Sequence, residues 1–140
     1  MSRVFWDSNL FIYLLEDFGP LTELVVNLRK SMLRRQDELV TSTITLGEVL
    51  VHPIRNNRPD IASIYEQEIR LGALLLPFDI EAARIFASIR RDKTIKAHDA
   101  IQLACAAQAR CDLFITNDER LSGKIVPGIQ FVTSLQRAPL

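Results

Sequence analysis

Short apolar runs alternate with amphipathic stretches along the whole chain. Arg3–Trp6 is a β-prone run cut off by Asp7, Ser8 and Asn9. Leu10–Leu15 predicts a short helix capped by Ser8 or Asp7, and the Gly19-Pro20 pair breaks it. Leu21, Leu24, Val25, Leu28 and Met32 recur at helical spacing with charges between them, which predicts a helix to about Gln36. Glu38–Ser42 is the second β-prone run. The helix after it offers Thr45 and Glu48 as a capping box, and His52-Pro53 ends it. Ile54–Arg58 is a polar connection. Pro59 suits the first turn of the next helix and Gly72 the position just past its end. Leu74–Phe78 is the third apolar run, and Pro77 places it at a sheet edge. Asp79 caps a helix from Ile80 to about Arg91. Asp99 opens the next one, with Gln102 completing a capping-box pattern. Its alanines, Ala100, Ala104, Ala106, Ala107 and Ala109, let it lie close to whatever it covers. Asp112–Thr116 reads as a buried strand ended by a turn at Asn117 and Asp118, and Gly128–Val132 as a fifth strand.

Strands separated by helices predict an α/β domain in three layers: a central parallel sheet of about five strands, with helices on both faces. Right-handed crossovers put the carboxyl ends of the strands on one rim, which is where ligands bind. The length of 140 residues suits a single domain with a real core. No apolar run reaches the roughly 18 residues of a membrane span, and the N-terminus lacks the apolar region of a signal peptide, so the expected location is the cytoplasm. Cys105 and Cys111 match no zinc spacing and read as core residues. Lys plus Arg and Asp plus Glu are both 17, for a net charge of zero. Neutrality argues against a protein that simply coats nucleic acid, but not against an enzyme that holds phosphates through metal ions.

The predicted topology sends four carboxylates to that rim. Asp7 ends the first strand, Glu48 lies in the first turns of the helix after the second, Asp99 opens the central helix, and Asp118 follows the fourth strand. Each alone has an ordinary role as a turn or capping residue. Together they repel one another and raise one another's pKa, a cost that a cation among them relieves. Oxygen donors without nearby His or Cys favour Mg²⁺ or Mn²⁺ over zinc. Such an ion binds phosphate oxygens and activates water, the equipment for phosphodiester hydrolysis. His98 abuts Asp99, but consecutive helix residues point apart, which leaves it outside the expected chemistry. Lys93 and Lys96 lie beyond the end of the preceding helix on a segment leading into Asp99, and are candidates to hold the phosphates flanking the cut.

The ordered set Val4-Phe5-Trp6-Asp7-Ser8-Asn9, T-S-T-I-T-L-G-E-V-L over 41–50, D-A-I-Q-L-A-C-A over 99–106 and L-F-I-T-N-D over 113–118 resembles the PIN-domain nucleases. More narrowly it is similar to the VapC-like toxins of type II toxin–antitoxin modules. The resemblance spans almost the whole chain and implies one PIN-like nuclease domain over residues 1–140. It implies a Mg²⁺- or Mn²⁺-dependent endoribonuclease that leaves 5′-phosphate and 3′-hydroxyl ends, a homodimer, and an antitoxin encoded beside it. The family's acidic positions fall on Asp7, Glu48, Asp99 and Asp118, and its hydroxyl residue before the last acid on Thr116, where it would order a water at the metal. Asn9 matches a frequent polar position near the first acid and is a candidate for substrate contact. His98 stands where many relatives carry a small residue or proline, which bears on access to the site.

Two other readings compete. A catalytically silent interaction module would keep the fold and show no nuclease activity with or without metal. A phosphotransferase with Asp7 as nucleophile would form a trappable acyl-phosphate, but a dehalogenase-like site wants a second Asp where Asn9 stands. The resemblance also implies that the acidic rim attracts Arg or Lys from an antitoxin tail, with Leu10, Phe11 and Leu14 either forming an adjoining groove or lying in the core.

Overall fold

The computed structural model describes residues 1–140. Five strands form one sheet: β1 (Arg3–Trp6), β2 (Glu38–Ser42), β3 (Leu74–Leu76), β4 (Leu113–Thr116) and β5 (Phe131–Ser134). Their order is β3-β2-β1-β4-β5, and every pair is parallel. Six helices connect them: α1 (Ser8–Leu15), α2 (Pro20–Arg35), α3 (Thr43–Arg55), α4 (Pro59–Gly72), α5 (Ile80–Ile89) and α6 (Ala97–Gln108). No helix is long and apolar enough to cross a membrane.

The side-chain alternation of β1 explains the layers. Phe5 faces one side of the sheet, where it stacks on Phe114 with centroids 5.0 Å apart and packs under Ala82, Ala100, Leu103, Ala104 and Ala107 of α5 and α6. Val4 and Trp6 face the other side, among Leu10, Phe11, Val25, Leu28, Val49 and Ile69 of α1 to α4. Both sides are apolar, so the central strands read as continuous hydrophobic runs. The alanines of α6 bring its backbone close to the chain entering β5. Gly128 has φ +99° there, and a Cβ on it would lie 2.8 Å from the Ala107 carbonyl oxygen. Both cysteines are buried and unbridged; burial pushes the Cys105 thiol up to about 11 and the Cys111 thiol up to about 12, which makes them inert core residues.

Five expectations change in detail. The cap of α3 is Ser42, whose hydroxyl accepts from the Thr45 amide at 3.3 Å, so Thr45 lies inside the helix and forms no capping box with Glu48. Pro53 does not end α3: the helix continues to Arg55, and the Arg58 amide bonds to the Pro53 carbonyl at 2.8 Å. Near a C-terminus proline costs only the one bond it cannot donate. α6 begins at Ala97 with Lys96 at its cap, so Asp99 is its third residue and no capping box forms with Gln102. α5 stops at Ile89, leaving Arg90 and Arg91 in a turn. β5 starts three residues later than expected, because Gly128 and Ile129 are used in a turn that brings Phe131 into register with Leu113. β3 is a sheet edge, as Pro77 foretold.

Candidate active site

Strands β1 and β4 are neighbours whose connections run in opposite directions: β1 leads through α1 and α2 to β2, while β4 is reached through α5 and α6 from β3 at the far edge. A crevice opens outside the carboxyl ends of strands at such a switch point. Asp7 follows β1 and Thr116 ends β4, so both stand at its floor.

Asp7 is 3% exposed and fully engaged. Its Oδ1 accepts from the Ser8 amide at 2.9 Å, capping α1, and from Gln102 Nε2 at 3.4 Å; its Oδ2 accepts from the Thr116 hydroxyl at 2.8 Å. Thr116 donates its single proton to Asp7, while its oxygen accepts from the Asp118 amide at 3.1 Å, so it orients the first acid and the turn that carries the last.

Asp99, in the first turn of α6, is half-buried, and its pKa is raised by burial first and by the Asp7 charge next, with Asp118 adding to it; His98 and Arg120 oppose. Glu48 reaches the same place from α3. Burial raises its pKa most, with smaller contributions from Asp7 and Asp99 opposed by His98 and by the Ser8 hydroxyl. Its Oε1 is closed off from solvent with no partner in hydrogen-bonding geometry. Its Oε2 lies 3.4 Å from Nε2 of His98, which therefore does turn toward the site despite neighbouring Asp99 in sequence. Asp118 is held by Arg120, whose Nη2 donates to Oδ2 at 2.8 Å and whose Nε and amide donate to Oδ1 at 3.0 Å. These bonds lower the Asp118 pKa, and Lys96 lowers it further.

The four predicted acids thus act electrically on one another, and Asp7 contacts Thr116 directly. Lys96 caps α6 at the rim. Lys93 sits in an exposed loop; Asp92 and Thr94 on either side of it bond Lys124 at 3.2 Å and 2.6 Å, and nothing ties Lys93 to the acids. Asn9 accepts from the Asn117 amide at 3.4 Å, which assigns it to pinning the loop after β4 rather than to open surface. Sequence reasoning missed Gln102, which is fully buried, and Arg120. An amide set between Ile101 and Leu103 in an alanine-rich helix was the available signal for the first.

As the side chains stand, no three acidic or imidazole groups are drawn together tightly enough to enclose an ion. The donor chemistry nonetheless fits a hard divalent cation: all four acids supply oxygen, one buried Glu48 oxygen has no partner, and burial with mutual repulsion raises two of the pKa values. Asp7, Asp99, Asp118 and Glu48 are the residues that would hold it, and Arg120 is the group that must release Asp118.

Fold and site together define a class, a parallel α/β domain with an acidic crevice at the switch point of its sheet. Within it the chain belongs to the PIN domain family, whose profile matches residues 4–124. Nucleases of this family are hydrolases acting on nucleic acids. Among solved structures it is similar to a chain of VapBC2 from Rickettsia felis bound to a DNA fragment from their promoter, at 14% identity and TM-score 0.73, covering 94% of this chain and 98% of that one. It also resembles a chain of the DNA-bound VapBC of Salmonella typhimurium at 22% identity and TM-score 0.67, covering 96% and 99%. A chain of a toxin–antitoxin complex from Klebsiella pneumoniae matches at 22% identity and TM-score 0.63, covering 90% and 94%. None of the curated proteins matches.

Proposed function

We propose that the protein is a divalent-metal-dependent endoribonuclease and the toxin of a toxin–antitoxin pair. The observation that carries the reading is the crevice itself, where Asp7 at the switch point is joined by Asp99, Glu48 and Asp118 from three other segments. Asp7, Asp99 and Asp118 would hold a Mg²⁺ or Mn²⁺ ion, with Glu48 a further ligand or the group that orients the attacking water, and the bound ion would supply Lewis-acid polarisation of the scissile phosphate and activation of the water. The chain's own part is to aim Asp7 through Thr116, Ser8 and Gln102, and to offer Lys96 as a phosphate contact beside Asp118.

The likeness to chains of VapBC and toxin–antitoxin complexes supports the partner. A cleft of about 470 Å³ between α1, α2 and α4 is lined by Phe11, Leu14, Leu15, Tyr65 and Ile69, with Arg29 at its edge. Leu10 is fully buried and takes no part in it, whereas Phe11 and Leu14 do. An apolar antitoxin helix fits such a groove. Arg29 bonds the Gly72 carbonyl through Nη2 at 3.4 Å and puts a cation at the edge of the groove, where an antitoxin carboxylate would be favoured. Exposed Ile54 and Leu71 on α3 and α4 suit pairing of two copies, and a cytoplasmic location belongs to the same reading.

The test is RNA cleavage by the purified protein in Mg²⁺ or Mn²⁺ and in chelator. The expected result is cleavage with metal only, with 5′-phosphate ends, silenced when the product of the neighbouring gene co-purifies. No cleavage under any divalent condition, or equal cleavage in chelator, overturns the reading.

A further inference from the structure

We infer that Gln102 is a positioning residue that aims the Asp7 carboxylate and ties it to the helix carrying Asp99. The inference rests on the reading of Asp7 and Asp99 as joint ligands of a divalent ion.

Gln102 is completely buried in α6 beside Leu103, Cys105 and Ala106, where an amide is costly unless every polar atom is bonded. Its Oε1 meets the Ser42 hydroxyl in a short contact, and its Nε2 lies 2.7 Å from Thr45 Oγ1 and 3.4 Å from Asp7 Oδ1. Counting protons fixes which end of the amide is which. The Trp6 main-chain carbonyl can only accept, so the Thr41 hydroxyl 2.8 Å away donates to it. A hydroxyl has one proton. Thr41 Oγ1 must therefore accept from Thr45, whose hydroxyl is 2.8 Å away, and Thr45 Oγ1 in turn accepts from Gln102. Ser42 accepts from the Thr45 amide and has its proton free for Gln102 Oε1. The second amide hydrogen is left for Asp7. Reversing the amide would set its oxygen against the Asp7 carboxylate and its nitrogen against the Ser42 proton.

The chain of donors thus runs one way, from α6 through α3 to the backbone of β1, with a branch to Asp7. At 3.4 Å the branch is longer than a good N–H···O bond, so it contributes direction more than strength. Asp99 lies three residues before Gln102, on the same face of α6. Gln102 therefore sets how far apart the Asp7 and Asp99 carboxylates are held, which an ion bridging them would sense.

The experiment measures Mn²⁺ affinity of the purified full chain by titration calorimetry, with RNA cleavage alongside. Gln102→Met keeps the volume and removes all three bonds, to Ser42, Thr45 and Asp7. It should weaken Mn²⁺ binding by about 10–100-fold, as losses behind a metal ligand do, and lower kcat with KM for RNA unchanged. Thr41→Val cuts the same network at the Trp6 main-chain carbonyl but leaves the Gln102 amide facing the Asp7 carboxylate, and should leave Mn²⁺ affinity within about threefold of wild type. Equal losses in the two variants would make the role merely structural and overturn the inference. Wild-type affinity in Gln102→Met would overturn it while the metal reading stands. A wild-type protein that binds no Mn²⁺ overturns that reading, and the inference with it. Should Gln102→Met not fold, the wild-type protein decides by NMR: the Gln102 side-chain amide resonances should move when Mg²⁺ saturates the site, and resonances that stay fixed contradict the inference.

Discussion

Asp7 and Asp118 follow neighbouring strands, yet they are held in opposite ways. Asp7 is sealed into the floor and receives bonds from the backbone of α1, the end of β4 and the interior of α6. Asp118 projects from a turn, is a quarter exposed, and is held by Arg120, itself 70% exposed, two residues further on. Asp99 and Glu48 are half-buried, with raised pKa values. One acid is thus fixed by the sheet before any ligand arrives, and the others can adjust. A cation entering the crevice meets Asp7 already in place. It must compete with Arg120 for Asp118, and an exposed ion pair of that kind is weak.

The largest effect that tests this contrast is on activity. Asp7→Asn should lower RNA cleavage by several orders of magnitude, since it removes a ligand and its activated water. It should also destabilise the fold by about 1–3 kcal/mol, because the new amide sets a donor against donors that already converge there. Asp118→Asn should cost ~100-fold or more in cleavage with little change in stability. Equal stability losses in the two variants, measured by urea unfolding, would erase the contrast, and cleavage by either within about tenfold of wild type would remove the acids from the chemistry.

The next effect is on metal-free stability. Asp99 and Glu48 have pKa values raised by burial and by neighbouring acids, so between the ordinary value of about 4 and the raised one the folded protein holds more protons than the unfolded chain. Stability in chelator therefore falls as pH rises through that window. Asp118 has the opposite sign: Arg120 lowers its pKa, so its contribution is present above about 4 and lost as pH falls below it. Asp99→Asn should raise the melting temperature in chelator at pH 7 by about 2–4 °C, with the gain vanishing below about pH 4. The helix dipole favours a carboxylate in the first turn of α6, and the expected gain takes burial and repulsion by Asp7 and Asp118 to outweigh it. Asp99→Asn that is less stable at pH 7 would reverse that order. Divalent ions should stabilise the wild type by linkage and the variant less.

The smallest effect concerns RNA. Replacing Lys93 and Lys96 together by Ala should weaken binding for all sequences alike and reduce the salt slope by roughly 0.7 per lost contact. Lys96 caps α6 beside Asp118, and Lys93 is tied to nothing at the rim, so Lys96→Ala alone should account for the change. A slope altered only by Lys93→Ala would move the RNA path away from Asp118.

Periodicity carried the fold well where apolar spacing alone decides. Phe5 and Phe114 on one face and Trp6 on the other follow from strands buried on both sides, and the edge position of β3 follows from Pro77. Ends chosen by tertiary contacts were not legible. Ser42 took the cap of α3 because Thr45 is needed in the buried network, and the start of β5 waits for the turn that Gly128 makes against Ala107. The acids of the site could be read because topology alone sends them to one rim. The groups that aim them could not: Gln102 satisfies a capping-box spacing and a buried network equally well in one dimension, and the Asp118–Arg120 pair is set by the geometry of a single turn.

The most direct measurement is anomalous scattering from a crystal of the protein grown with Mn²⁺. The expected result is a peak in the crevice contacting Asp7 together with Asp99 or Asp118, with Arg120 turned away from Asp118. A peak elsewhere, or none in crystals whose buffer holds Mn²⁺ in excess, would contradict the assignment of these acids as a metal site.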